Sequence, residues 1–273
     1  MRRKTTRSAE PIPSQDQHLM TNPETVDKLV AAAGIKRGDY VLEIGAGSGL
    51  LTVRLARTVA RILAIEMDKR FATMLGKIEA ANVEIIYANA IDLIEKIKFN
   101  KVVSNIPYAI CEPLISKLMK KEFELAVISV PESFYKILSS KPGEKTHSIL
   151  SLKAQSFFIT ELLFGIEKSD FSPPPKTESV AISIRPLSKS DYEKNPRAFV
   201  FRELFLQKTK KLGNALAEAL INTGRMFCGE QLTKRTAKAK IKEMDLGKLL
   251  QKKIEEMRLD DFMAVEKKLR ISS

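Results

Sequence analysis

Hydrophobic residues recur with two different periods along the first two-thirds of the chain. TNPETVDKLVAAAGI carries them at helical spacing, with Thr21 or Asn22 placed to cap and Pro23 in the first turn. Five short apolar runs follow, YVLEIG, RILAIEM, VEIIYA, KVVSNI and LAVISV, of the kind found in parallel strands buried on both faces. Helix-like segments such as GLLTVRLARTV, KRFATMLGKIEA and CEPLISKLMKK lie between them. This order predicts an open, doubly wound α/β sheet covered by helices on both faces. QSFFITELLFGI and ESVAISIRP read as two further strands around the proline-rich loop FSPPPK. After Pro186 the pattern changes: SKSDYEKNP is a polar linker, and Arg197 to Leu269 reads as helices with Lys/Arg-rich faces. The expected organisation is a basic segment over 1–21, an α/β domain over 22–186 and a small α-helical domain over 187–273.

Composition narrows the class. The 273 residues, 44% hydrophobic and 29% charged, suffice for one large domain and one small one. No run approaches the roughly 18 apolar residues of a membrane span. The start MRRKTTRSAEPIPSQDQ lacks the apolar core of a secretory signal, and its acids and prolines argue against an organelle presequence. Cys111 and Cys228 form neither a disulfide framework nor a metal-ligand spacing, so no metal is expected and a reducing cytoplasm is the expected location. Charge adds more: 46 Lys+Arg against 33 Asp+Glu give +13, a field that favours nucleic acid. The part from Leu187 onward holds 20 Lys+Arg and 12 Asp+Glu and so supplies +8 of it. Arg2, Arg3, Lys4 and Arg7 form a second basic cluster.

Two stretches carry chemistry. In VLEIGAGSGLLT a strand runs into Gly45, Gly47 and Gly49, where the backbone turns sharply and a ligand can approach closely. RILAIEMD then ends a second strand with Glu66, the usual place for a carboxylate that receives a ribose diol. The pair points to an adenosine-containing cofactor. A dinucleotide loop reads GxGxxG and brings a helix N-terminus against a pyrophosphate. Here the pattern is ExGxGxG with Glu43 in the strand, which resembles the S-adenosylmethionine-dependent methyltransferases.

The second stretch, SNIPY, ends the fourth strand, at the sheet edge where open α/β folds bind ligands. An exocyclic amine conjugated to a nucleobase is a poor nucleophile. The Asn105 side-chain oxygen and the Ile106 carbonyl can accept its N–H bonds and aim its lone pair at a methyl group. Tyr108 can stack on the extruded base, and Pro107 holds the loop in readiness. A sulfonium leaves as a neutral thioether, so neither histidine need act as a base.

With SQDQHLM, AIEMD, SNIPYAICEPL and FSPPPKTESVAISIRP added, the first 186 residues resemble the KsgA-type ribosomal RNA adenine N6-dimethyltransferases and their archaeal and eukaryotic counterparts. ELFLQKTKKLGNAL is similar to the helix whose Gln, Lys and Arg face RNA in that family. The resemblance implies a Rossmann-like class I methyltransferase domain with a small helical domain behind it. It places His18 and Met20 over the cofactor, Gly45 and Gly47 beneath it, Glu66 and Met67 at its ribose end and Asn89 beside its adenine. Asn105 then lies between cofactor and target, and Phe171 forms a second wall of the base pocket opposite Tyr108. The implied enzyme is a cytoplasmic monomer with a role in small-subunit biogenesis. It transfers methyl groups from S-adenosylmethionine to two adjacent adenosines near the 3′ end of small-subunit rRNA.

Departures from the family pattern fall at Gln17-His18-Leu19-Met20 (usually Gln-Asn-Phe-Leu) and Ala88-Asn89-Ala90 (usually Gly-Asp-Ala). Others fall at ISVPESFYKI and HSILS. An Asn at 89 still accepts from an adenine amino group but without the charge that strengthens the bond. The alternatives are a large-subunit rRNA methyltransferase of the macrolide-resistance type, a DNA or protein-glutamine methyltransferase, and a ribosome-assembly factor without catalysis.

Overall fold

The computed structural model describes residues 17–269 apart from 59 and 230, and describes Cys228 without its side chain. The Arg2–Arg7 cluster, and the predicted 1–21 segment as far as residue 16, lie outside the described residues. The first elements are β1 (Leu19–Met20), α1 (Pro23–Ala32), β2 (Tyr40–Ile44), α2 (Leu50–Ala56), β3 (Arg61–Glu66), α3 (Ala72–Leu75), β4 (Val83–Tyr87) and α4 (Ala90–Leu93). They continue with β5 (Lys101–Asn105), α5 (Cys111–Leu118), β6 (Leu125–Pro131), α6 (Glu132–Ser139), α7 (Ile149–Phe157), β7 (Phe158–Ile166), β8 (Phe171–Ser172) and β9 (Ser179–Pro186). Five α-helices follow among the described residues: α8 (Lys189–Lys194), α9 (Pro196–Leu206), α10 (Leu212–Thr223), α11 (Lys234–Glu243) and α12 (Leu259–Lys268).

The main sheet has the order β4-β3-β2-β5-β6-β9-β7. The five apolar runs are the parallel strands β2 to β6, and β9 returns antiparallel to β6. Asn22, not Thr21, caps α1: its Oδ1 accepts from Glu24 N at 3.0 Å, and the helix then buries Val26 and Leu29 on the sheet.

The structure changes the reading of QSFFITELLFGI. Its first three residues end helix α7, and the strand begins only at Phe158. A reciprocal Ser148–Ser151 capping box starts that helix. The chain divides into two compact units. One holds the described residues to Lys136 with Thr160–Arg185; the other holds Ile137–Ile159 with the chain from Pro186 onward. The helical unit thus includes α7 as well as the region after 186. Within it α7 packs on α9, Tyr192 donates to Ser156 O at 3.0 Å, and Phe201, Phe205 and Phe262 form a ring cluster. No helix among the described residues is long and apolar enough to cross a membrane.

The pairing of the central strands positions the site. β2 and β5 pair only at Val41↔Lys101 and Leu42↔Val102, whereas β2–β3 continues to Ile44↔Ile65 and β5–β6 to Asn105↔Ser129. The two strands are clamped at their amino ends. There the buried Lys101 ammonium meets Asp39 at 2.9 Å, Ala33 O at 3.0 Å and Gly34 O at 2.7 Å. At their carboxyl ends the ladder stops, and the Ser104 hydroxyl bridges instead, accepting from Ile44 N and donating to Ile44 O. The sheet opens where the strand order reverses, the place at which such folds take their ligands.

Candidate active site

The glycine turn lies at the mouth of this opening. Gly45 and Gly47 have φ of +75° and +52°, a region other residues enter only with strain. A Cβ on Gly47 would stand 2.7 Å from Leu19 Cδ2, and one on Gly45 would stand 3.3 Å from Pro107 Cδ. The turn is therefore a bare cradle between the N-terminal strand and the Pro107 loop. Gly47 N donates to Glu66 Oε2 and Asp68 N to Glu66 Oε1, each at 2.7 Å. Burial pushes the Glu66 carboxyl above its ordinary value, and these backbone donors pull it back. Each oxygen keeps a second lone pair, so a vicinal diol can donate to both. Behind it Glu43 is buried and does not line the cavity; burial, reinforced by the charge of Glu66, pushes it up to about 8.

The Asn-Ile-Pro-Tyr loop closes the other side. Asn105 Nδ2 donates to His18 O at 2.9 Å, which fixes how the amide faces. Its Oδ1 is buried with no partner among the described residues. An unpaired buried acceptor costs about 1–3 kcal/mol, and an N–H from a ligand removes that cost. Tyr108 is held at its tip by the Ser179 hydroxyl, and its ring centroid lies 5.6 Å from that of His18. His18 Nδ1–H in turn donates to Pro173 O at 2.8 Å.

Residues 17–20 form a strap across these parts. Gln17 Nε2 donates to Asp68 at 3.0 Å, and Arg70 donates to Gln17 Oε1 at 3.0 Å. The Arg70 guanidinium holds the Asp68 carboxyl well below the usual carboxylate range.

A cavity of about 510 Å³ joins these groups. His18, Gly45, Gly47, Glu66, Met67, Asn89, Asn105, Ile106, Pro107 and Tyr108 all line it. Two expected members do not. Met20 and Phe171 are ladder partners in the β1–β8 ribbon, and that register turns both side chains into the core, where they are 6% and 3% exposed. Asn89 caps α4, accepting from Ile91 N at 3.0 Å, a task Asn and Asp perform equally well. Ser179, Ser104, Leu19 and the Gln17–Asp68–Arg70 tie went unread in the sequence. All but Arg70 lie within the quoted motifs SQDQHLM, AIEMD, SNIPYAICEPL and FSPPPKTESVAISIRP, but the motifs assign them no role.

The turn offers an open floor, Glu66 offers acceptors for a diol, and the loop presents an acceptor to an amine. These properties define a class I S-adenosylmethionine-dependent methyltransferase, and the residues present fit that cofactor. Comparison with known proteins takes the assignment to a family. Residues 13–255 match the family described as ribosomal RNA adenine dimethylase. The chain belongs to this family, and S-adenosylmethionine is its methyl donor.

Among its relatives, the probable ribosomal RNA small subunit methyltransferase A of Pyrococcus abyssi is 37% identical over 204 residues, 74% of each chain. The ribosomal RNA small subunit methyltransferase A of Thermotoga petrophila is 32% identical over 231 residues, 84% of this chain and 86% of that one. A dimethyladenosine transferase from Plasmodium falciparum superposes with a TM-score of 0.62 at 28% identity, covering 92% of this chain and 98% of that one. The 23S rRNA methyltransferase ErmE shares the fold at 19% identity, with a TM-score of 0.56 over 92% of this chain and 99% of its own.

Proposed function

We propose that this chain dimethylates N6 of two adjacent adenosines near the 3′ end of small-subunit rRNA, in the course of small-subunit biogenesis. The observation that carries the chemistry is the Asn105 amide, pinned through Nδ2 while Oδ1 is left buried and unpaired at the cavity. The choice of the small subunit follows the names of the relatives at 32–37% identity, against a large-subunit neighbour that shares only the fold.

The cofactor supplies an electrophilic methyl group on a sulfonium that departs as a neutral thioether. Glu66 and Met67 would hold the ribose end of the cofactor and Asn89 would lie beside its adenine, while the strap at His18 would exclude water. Asn105 Oδ1 and the Ile106 carbonyl accept the two N–H bonds of the target amine, turning its lone pair out of the ring. Tyr108 stacks on the extruded base. After one transfer the methylated nitrogen is cationic, releases one proton to solvent and keeps one N–H, so either acceptor alone can aim it for the second. His18 Nδ1–H is committed to Pro173 O, in keeping with a reaction that needs no strong base. In this reading residues 187–273 hold the RNA, and the enzyme works as a monomer in the cytoplasm.

The test is to incubate the protein with labelled S-adenosylmethionine and under-methylated small subunits, then map the modified bases. Label on two neighbouring adenosines near the 3′ end is expected. Label confined to large-subunit RNA fragments, run in parallel, overturns the assignment.

A further inference from the structure

We propose that helix α11 is a docking strip for the sugar–phosphate backbone of the RNA, gripping it with Lys234, Lys238 and Lys242 and with Arg235 alongside. The inference rests on the reading of rRNA as substrate and adds where, within the helical unit, the strand is held.

Three observations carry it. The first is placement. Ala237 and Ile241 are the buried residues of α11, and all four cations are exposed. The lysines recur every fourth residue, so they form one row with steps of about 6 Å along the axis. A single phosphodiester strand can follow such a row.

The second is that these charges are uncommitted. None of the four side chains makes an ion pair or hydrogen bond with a described residue. Elsewhere in the unit Lys210 pairs with Glu218 at 2.6 Å, Lys211 with Gln251 at 3.0 Å, and Lys252 with Asp261. The Lys210–Lys211 turn, expected from the sequence to face RNA, thus has its ammonium groups engaged within the protein.

The third is that the first turn of α11 departs from the charge arrangement of α8 and α12. Helix α12 opens with Asp260 and Asp261 and closes with Lys267 and Lys268; α8 has Asp191 in its first turn and Lys194 in its last. Both arrangements favour the helix dipole. In α11 the first turn holds Lys234 and Arg235 and no acid. Like charges also face each other at 234/238 and 238/242, which opposes helix formation. Such a local conflict is relieved when a polyanion lies along the row, and conflicts of this kind mark functional surfaces. Besides the cations, the exposed residues of α11 are Thr236, Ala239 and Glu243, so it lacks the apolar stripe by which a helix lies in a lipid interface. The occupant argued for is therefore RNA backbone, held by point charges without base readout.

The experiment uses the full chain carrying K234Q, K238Q and K242Q together, and a control with equal charge removed at exposed sites in the other unit, K28Q, K36Q and K96Q. Binding of a small-subunit 3′-end RNA fragment is measured across a potassium chloride series. The α11 variant should lose more than tenfold in affinity at low salt, and about two units in the slope of log K against log salt, about 0.7 per released phosphate contact on a single strand. Cofactor affinity should stay unchanged, and the melting midpoint unchanged or raised, since repulsion has been removed. The control should bind nearly as wild type does. The proposal is overturned by a wild-type slope in the α11 variant or by equal losses in the control. Loss of binding to phosphatidylglycerol vesicles with RNA binding intact also overturns it. A wild-type protein that fails to bind this RNA overturns the substrate reading and the strip together.

Discussion

Asn105→Ala should separate catalysis from cofactor affinity, by amounts that follow from the two ends of one amide. The Nδ2 end makes a single bond, 2.9 Å to His18 O, on the strap over the cavity. A bond of that kind contributes about 1 kcal/mol net, so its loss should weaken S-adenosylmethionine binding about fivefold. The Oδ1 end is the unpaired acceptor assigned to the reacting amine. Removing one such positioned group should lower turnover about 10²- to 10³-fold. Asn105→Asp tests the division from the other side. It keeps an acceptor for the amine but sets an oxygen against the His18 carbonyl, a cost of about 1–3 kcal/mol that should weaken cofactor binding about five- to 150-fold. At saturating cofactor its turnover should exceed that of the alanine variant. Calorimetry gives the affinities, and single-turnover transfer to under-methylated small subunits gives the rates. An alanine variant within tenfold of wild-type turnover, or an aspartate variant that binds cofactor at wild-type strength, refutes the assignment.

Other perturbations probe the surroundings. Ser179→Ala and Tyr108→Phe each break the same hydroxyl pair, so each should lower kcat/KM for RNA about fivefold and the double variant no further; additive losses would show that the pair is not one unit. Gly47→Ala forces a side chain into positive φ and against Leu19 Cδ2, so cofactor binding should weaken about tenfold or more. Adding Leu19→Ala should recover part of that loss, and no recovery would place the cost wholly in the backbone. Glu43 titrates near 8 when folded and near its ordinary 4.5 when unfolded, so the folded state retains a proton between those values. Stability contributed by this group is therefore complete below about pH 4.5 and lost as pH rises through about 8. In scanning calorimetry Glu43→Gln should melt with wild type at pH 5 and above it beyond pH 8. Superimposable curves at both pH values refute the burial argument.

The strands β2 to β6 were visible because each is a short apolar run bounded by polar residues, and the cavity residues were visible where chemistry is written locally. Gly45, Glu66, Asn105 and Tyr108 each end a strand or follow one, so sequence order alone places them on one sheet edge. The α7–β7 junction was hidden because Phe157 ends a helix and Phe158, at φ −136° and ψ 152°, begins a strand, with no glycine, proline or polar break between them. Ser179 and the His18 carbonyl were hidden for another reason. Their partners lie 71 and 87 residues away, and only the tertiary fold brings such groups together. Met20 and Phe171 lie away from the cavity lining because of register. In a two-residue ribbon one step decides between cavity and core, and their motifs do not encode that step.

The geometry also explains why an amide ends β5. The Asp39–Lys101 clamp and the short β2–β5 ladder fix where the sheet parts, so the spacing between the glycine floor and the Pro107 loop is set by backbone. The remaining variable is the strap, and the strap is tied to the same side chain that we propose meets the substrate. That side chain must donate to a carbonyl on one side and accept from an amine on the other at the same moment, without a charge that would distort either bond. A carboxylate lacks the donor. A hydroxyl has one oxygen for both tasks and too short a reach, and an imidazole would change state near neutral pH. The carboxamide of Asn105 meets all of these conditions, and in the proposed mechanism it would couple closure of the strap to the readiness of the methyl acceptor site.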